Sequence, residues 1–135
     1  EIYTLSLHDA LPIYFRRFYS RVKDYTFEST SELLAVADVI ITDYSSVVFD
    51  ASLMDKPTVF YCPDYEEHRD DTYLDYEKDI PGEMVRDSEV ILDAVRRAED
   101  VSSAEIRALF KERQMGACDG RSTERILAMI KNYLK

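Results

Sequence analysis

The stretch Val39–Tyr61, VIITDYSSVVFDASLMDKPTVFY, decides the fold. Val39-Ile40-Ile41-Thr42 is a short β-branched run, the pattern of a strand buried on both faces. It breaks at Asp43-Tyr44-Ser45-Ser46, after which apolar residues recur at helical spacing through Val47, Val48, Ala51 and Leu53-Met54. That helix has to stop before Lys56-Pro57, because proline disfavours the α conformation in the residue preceding it. Thr58-Val59-Phe60-Tyr61 is a second buried strand. Strand, turn, helix and strand in so short a span form a βαβ unit with a parallel sheet.

On the N-terminal side, Thr30 or Ser31 can cap a short helix over Glu32–Ala37, its hydroxyl satisfying free N–H groups. Tyr14–Lys23, YFRRFYSRVK, is basic and aromatic and fits a helix with a solvated face better than a nucleic-acid or membrane patch. On the C-terminal side, Pro63–Pro81 is an acidic, tyrosine-rich loop too long for a simple connection. Glu83–Arg86 suits a short edge strand, and three helices are expected to start near Ser88, near Ser102 or Ser103, and after Gly120. The expected fold is α/β: a partial Rossmann-like domain with a short parallel sheet and flanking helices.

The chain has 135 residues, with 17 basic and 27 acidic side chains and a net charge of −10. Only 3 glycines and 4 prolines occur among 46% hydrophobic residues, which excludes disorder and collagen-like repeats. Two cysteines, Cys62 and Cys118, cannot build a disulfide scaffold or a zinc site, which favours a reducing compartment. The acidic balance argues against nucleic acid as a partner, since phosphate backbones need clustered cations. Residues 1–13, EIYTLSLHDALPI, lack the basic start of a signal peptide. Their back-translation resembles a widely used short-read sequencing adapter, so they are expected to be non-native. Native sequence would then run from 14 to 135 as a truncated domain with a net charge of −8, and His68 would be its one histidine.

The chemistry is expected at the turn between the first strand and its helix. In open α/β sheets ligands bind beyond the carboxyl ends of the strands, where a following helix presents free N–H groups suited to phosphate. Ser45 and Ser46 add short hydroxyl donors, and Asp50, one turn further along the same face, can accept from a ribose hydroxyl. An ordinary serine cap on an acidic helix fits the same residues. Asp43 also resembles a phosphoacceptor aspartate, but the acidic pair that would hold a metal is missing.

The residues Ser31–Asp71 resemble the CDP-glycerol glycerophosphotransferase family, the teichoic-acid polymerases and primases. The likeness lies in ELL-x-x-x-D-x-x-x-T-D-Y-S-S-x-x-F-D at Glu32–Asp50, then Lys56-Pro57 and Phe60-Tyr61. It continues in YEKDIPG (Tyr76–Gly82), Phe110–Arg113, and Asp119-Gly120 with Glu124-Arg125. The resemblance implies a two-domain GT-B architecture of which this chain is the C-terminal, donor-nucleotide-binding part. It also implies transfer of glycerol phosphate from CDP-glycerol to a lipid-linked polymer, with release of CMP and no cofactor. The implied setting is cytoplasmic, peripheral at the inner face of a bacterial cell membrane, through regions outside this chain.

Carried over by position, Ser45 and Ser46 correspond to donor-phosphate contacts and Asp50 to a further donor contact. Asp43 shapes the turn; Arg69 and Arg125 are supporting candidates for an anion. The family's histidine-proline motif, which supplies a catalytic histidine, has no counterpart in Tyr14–Thr30, so no catalytic residue is expected here and residues 14–135 alone should not turn over. The family's arginine-glycine-phenylalanine-tyrosine element is replaced by Asp71-Thr72-Tyr73-Leu74. His68 and the carboxylates Asp64, Glu66, Glu67, Asp70, Asp71 and Asp75 are expected to form a solvated lid rather than a base or a metal site. Two other readings share the phosphate cradle: a GT-B glycosyltransferase using a nucleotide-sugar, and a non-catalytic nucleotide-binding module.

Overall fold

The computed structural model describes the backbone of residues 2–4 and 22–24 and, with side chains, residues 29–72 and 74–134. Strands β1 (Ile2–Thr4) and β2 (Val22–Asp24) pair in parallel as a small two-stranded sheet. Val22 and Lys23 are therefore in a strand, not in the helix expected over Tyr14–Lys23; the rest of that segment lies outside the described residues.

The main body follows as helix α1 (Thr30–Val36), strand β3 (Ile40–Thr42), helix α2 (Val47–Leu53) and strand β4 (Thr58–Tyr61). A one-turn helix α3 (Tyr65–His68), strand β5 (Gly82–Val85) and helices α4 (Ile91–Ala98), α5 (Val101–Met115) and α6 (Ser122–Tyr133) complete it. The βαβ unit is present as expected, with β3, β4 and β5 parallel in that order, Ile40 beside Thr58 and Thr58 beside Gly82. Cα geometry makes Gly82 obligatory, because a methyl group there would overlap the Thr58 carbonyl oxygen of β4.

The side chains of β4 alternate between two cores, as strand periodicity requires. Phe60 joins Val48 of α2, Phe110 of α5 and Tyr65, Leu74, Tyr76 and Ile80 of the acidic segment. Val59 joins Val85 with Ala94 and Ala98 of α4 on the opposite face. Leu34, Ala37, Ile40 and Ala51 form a third cluster that packs α1 against α2.

Three expectations need correction. Helix α1 starts at Thr30 with Ser29 as its cap, one residue before the earlier of the two expected caps, and no cap side chain bonds back. Strand β3 is not buried on both faces: it lies at an edge of the described sheet, and Ile41 is 40% exposed. A β-branched run cannot by itself separate an edge strand from a central one. The acidic loop, in turn, is not a solvated lid. Its carboxylates other than Asp79 are exposed, as expected, but Tyr65, Leu74, Tyr76 and Ile80 are buried in the largest core cluster.

Three cations close helix C-termini, where the free carbonyls and the dipole favour positive charge. Lys56 Nζ donates to the carbonyls of Ala35 and Ala37 at 2.9 Å each, and Lys111 Nζ to Leu53 at 3.0 Å. Arg107, 7% exposed, donates to Ala98 at 3.1 Å and to Asp55 at 3.2 Å. Asp55 itself adopts a left-handed backbone, φ 54°, as the chain turns out of α2. All of α6 is exposed, including Ile126, Leu127, Met129, Ile130 and Tyr133.

Candidate functional site

The turn from β3 to α2 opens at the carboxyl end of the sheet, beside the end of β4. Ser45 and Ser46 are both exposed there. The Ser45 hydroxyl accepts from the Val47 N–H at 3.3 Å, and the Ser45 and Ser46 carbonyls accept from Val48 and Phe49 at 3.4 and 3.1 Å. Ser45 thus does the capping, although Ser46 occupies the cap position with a helical backbone. A hydroxyl that accepts one bond keeps its own proton to donate outward. Neither the Ser45 nor the Ser46 amide has an acceptor among the described residues. Two amides and two hydroxyls on adjacent residues therefore remain available at one exposed turn, donor types suited to a phosphate oxygen.

Asp50 lies in the first turn of α2, exposed, with its carboxylate unpaired among the described residues. It follows the serines by one helical turn and can accept from a neutral hydroxyl; a phosphate held by the serines would have to stay clear of it.

The acidic segment anchors this turn. Tyr76, 4% exposed, donates its hydroxyl to the carbonyl of Asp43 at 3.3 Å. Its ring meets Tyr44 edge-on at 5.3 Å and Phe60 edge-on at 5.5 Å. Tyr44 in turn donates to Asp64 at 3.0 Å, and its ring lies 5.2 Å from that of His68. Burial, reinforced by the bond to Asp64, holds the Tyr44 phenol well above its ordinary range, so it stays a protonated donor. Cys62, fully buried at the end of β4, is pushed up to about 11, chiefly by burial, with the nearby Asp43 and Asp64 adding to the shift. As expected for a small packing residue, it is an inert thiol.

His68 pairs with Asp64 at 3.3 Å and is about half exposed. Arg69 pairs with Glu77 at 3.5 Å, while Arg86 binds Glu66 at 2.6 Å and covers the ring of Tyr65. Arg125 is held by Asp119 at 2.8 and 2.9 Å, by Ser122, and by the carbonyl of Ala117. The Arg121 amide and the Arg125 guanidinium keep the Asp119 carboxyl below its usual range. Arg125 is therefore the staple of the α5–α6 connection, and the structure does not bring it to the serine turn. Among the described residues, no three of the His, Cys, Asp and Glu side chains gather as a metal-ligand set.

Sequence reasoning singled out Ser45, Ser46, Asp50 and Asp43, which lie in the β3–α2 turn and the first turn of α2, but missed Tyr44, Asp64 and Tyr76. The available signal was the recurrence of tyrosines within the acidic segment, since large aromatics seldom stay in water. Asp43 meets the loop through its backbone carbonyl rather than its carboxylate.

Comparison with known proteins places these features in one family. Residues 8–132 match the family model described as CDP-Glycerol:Poly(glycerophosphate) glycerophosphotransferase. The chain is 32% identical over 118 residues to a teichoic acid glycerol-phosphate transferase of Staphylococcus aureus (strain NCTC 8325 / PS 47), covering 84% of this chain and 30% of that protein. It is 34% identical over 108 residues to a teichoic acid ribitol-phosphate primase of Bacillus spizizenii, covering 78% and 28%. Over 112 residues it is 34% identical to a teichoic acid poly(glycerol phosphate) polymerase of Bacillus subtilis, covering 77% and 15%. Among solved structures, a histidine-to-asparagine variant of the wall teichoic acid polymerase TagF soaked with CDPG superposes with a TM-score of 0.70 at 25% identity, over 90% of this chain and 32% of that one. The chain thus spans less than a third of the length of these relatives.

Proposed function

Because the chain belongs to the CDP-glycerol:poly(glycerophosphate) glycerophosphotransferase family, we propose that it forms the donor-binding part of a transferase that moves glycerol phosphate from CDP-glycerol to a teichoic-acid or related polymer. The observation that carries this reading is the exposed Ser45–Ser46 corner at the carboxyl end of β3, with its amides unpaired among the described residues.

In this reading the amides and hydroxyls of Ser45 and Ser46 bind the diphosphate of the donor, and Asp50 accepts from a ribose hydroxyl. An acceptor hydroxyl attacks the phosphorus that carries glycerol. The bond from that phosphorus to the bridging oxygen breaks, and CMP departs with the oxygen. Serine and amide donors offset the charge that develops on CMP, the same electrostatic role an oxyanion hole plays. The proton of the attacking hydroxyl goes to a base contributed from outside this chain, a histidine by family resemblance. The GT-B arrangement, a lipid-linked acceptor and a position at the inner face of the membrane belong to the same proposal. They are supported by the teichoic-acid relatives. No helix among the described residues is long and apolar enough to cross a membrane.

Relatives named for glycerol phosphate and for ribitol phosphate match at similar identity, so the alditol is set by experiment. The test is binding and turnover of CDP-glycerol, CDP-ribitol, a UDP-sugar and a GDP-sugar by the full-length protein. A response to a CDP-alditol with release of CMP supports the reading. Preference for a nucleotide-sugar, with no response to either CDP-alditol, overturns it.

A further inference from the structure

The acidic segment Pro63–Pro81 has a role beyond covering the sheet. Two polar bonds tie it to the β3–α2 turn: Asp64 accepts from Tyr44, and a deeply buried tyrosine hydroxyl donates to a backbone carbonyl two residues before Ser45. The ring of that tyrosine is fixed from three sides, edge-on against Phe60 of β4, edge-on against Tyr44 of the turn, and tilted against Tyr65 of α3. Buried and packed on three rings, the side chain is well placed to act as an anchor. The turn is otherwise thinly held, since both serines are exposed and β3 is an edge strand of the described sheet.

We infer that Tyr76 is a positioning residue for the Ser45–Ser46 turn: its hydroxyl holds the Asp43 carbonyl and so sets where the serine amides and hydroxyls meet the donor diphosphate. This rests on the reading of that turn as the donor site. Tyr44 completes the strap from the other side of the same peptide link, reaching Asp64 at the start of α3 in the acidic segment. The acidic segment is then a built part of the donor site. Four of its carboxylates carry a local countercharge, Glu66 from Arg86, Glu77 from Arg69, Asp75 from Lys78 and Asp79 from Arg113.

The test is Tyr76→Phe in the full-length protein, which keeps the ring and deletes the hydroxyl. The bond is long, so KM for CDP-glycerol should rise only about two- to fivefold, with kcat nearly unchanged. Introduced into a Ser45→Ala, Ser46→Ala background, the same change should add almost nothing, because the groups it positions are gone. Tyr65→Phe controls for packing: that ring is buried in the same segment, yet it makes no hydrogen bond to the turn. A KM rise with Tyr76→Phe and none with Tyr65→Phe supports the assignment even if both variants melt earlier. Equal effects of the two, an effect on kcat alone, or the same KM factor in both serine backgrounds overturns it. If the double serine variant keeps the wild-type KM, the donor-site reading falls and the positioning role with it. If the serines matter and Tyr76→Phe leaves KM unchanged, the positioning role alone falls.

Discussion

Replacing both serines of the turn by alanine separates a donor site from a helix cap. A hydroxyl donated to an ionised phosphate oxygen contributes about 1.5–3 kcal/mol. Ser45 and Ser46 are exposed, where water competes for both partners, so the lower end applies. Two such bonds come to about 3–4 kcal/mol, or roughly two to three orders of magnitude in kcat/KM for the donor. The amides remain in the variant, so residual turnover persists. The cap reading predicts a different pattern. Only Ser45 bonds to a helix amide, at 3.3 Å, so Ser45→Ala should cost about 0.5–1 kcal/mol of stability and Ser46→Ala close to nothing.

Initial rates of CMP release by the full-length protein, taken with a melting curve of each variant, measure both quantities. The donor reading requires Ser46→Ala to lose activity without losing stability. The loss should also be the same for CDP-glycerol and CDP-ribitol, because the diphosphate is common to both. A double variant that keeps kcat/KM within about threefold while folded would refute the site, since even one phosphate bond is worth more than that.

Other perturbations have definite outcomes. His68→Ala should leave donor kcat/KM within about twofold, because the ring is half exposed and paired with Asp64; a hundredfold loss in the same rate assay would mark it as a base. Gly82→Ala should cost about 3 kcal/mol in urea unfolding, since the added methyl meets the Thr58 backbone and neither strand can yield alone. Cys62 should resist alkylation at pH 8 while exposed Cys118 reacts. With its folded pKa raised to about 11 from 9.0, the Cys62 contribution to stability is present below about pH 9 and fades as pH rises through 11, which urea midpoints across that range read directly. Finally, α6 has no buried residue, so in this chain its amides should exchange with deuterium nearly as fast as those of an isolated peptide, while those of β4 stay protected.

The sequence made the βαβ unit legible because three local signals agree there. The apolar run of β4 was found residue for residue, the break at Asp43–Ser46 was found, and Pro57 marked where α2 has to have ended. Local signals cannot report neighbours. Ile41 looks as apolar as Val59, yet it is partly exposed, because β3 lies at an edge of the described sheet and β4 lies between two strands. The acidic segment was misread for a related reason. Its charge dominates any composition window, whereas its placement is decided by four apolar or aromatic residues, Tyr65, Leu74, Tyr76 and Ile80, whose spacing matches neither a helix nor a strand. The serines were legible as chemistry, but the tyrosine that fixes them lies 33 positions from the carbonyl it holds, beyond any local pattern.

A phosphate site on a chain of net charge −10 needs an explanation of its countercharge. Around the core the cations are committed elsewhere. Lys56, Lys111 and Arg107 terminate helices, and Arg69 and Arg86 neutralise the acidic segment. Freeing any of them for a ligand would leave helix carbonyls bare or carboxylates unpaired, so the protein cannot lend them to a diphosphate without losing part of its fold. The donors that remain at the turn are neutral: two amides and two hydroxyls. Neutral donors can orient a diphosphate but leave its two charges largely uncompensated, which suits a weak, exchangeable grip on the donor and its CMP product. With neutral donors only, the serine pair should show its effect in donor use, while this chain alone should bind CDP-glycerol weakly and turn over none.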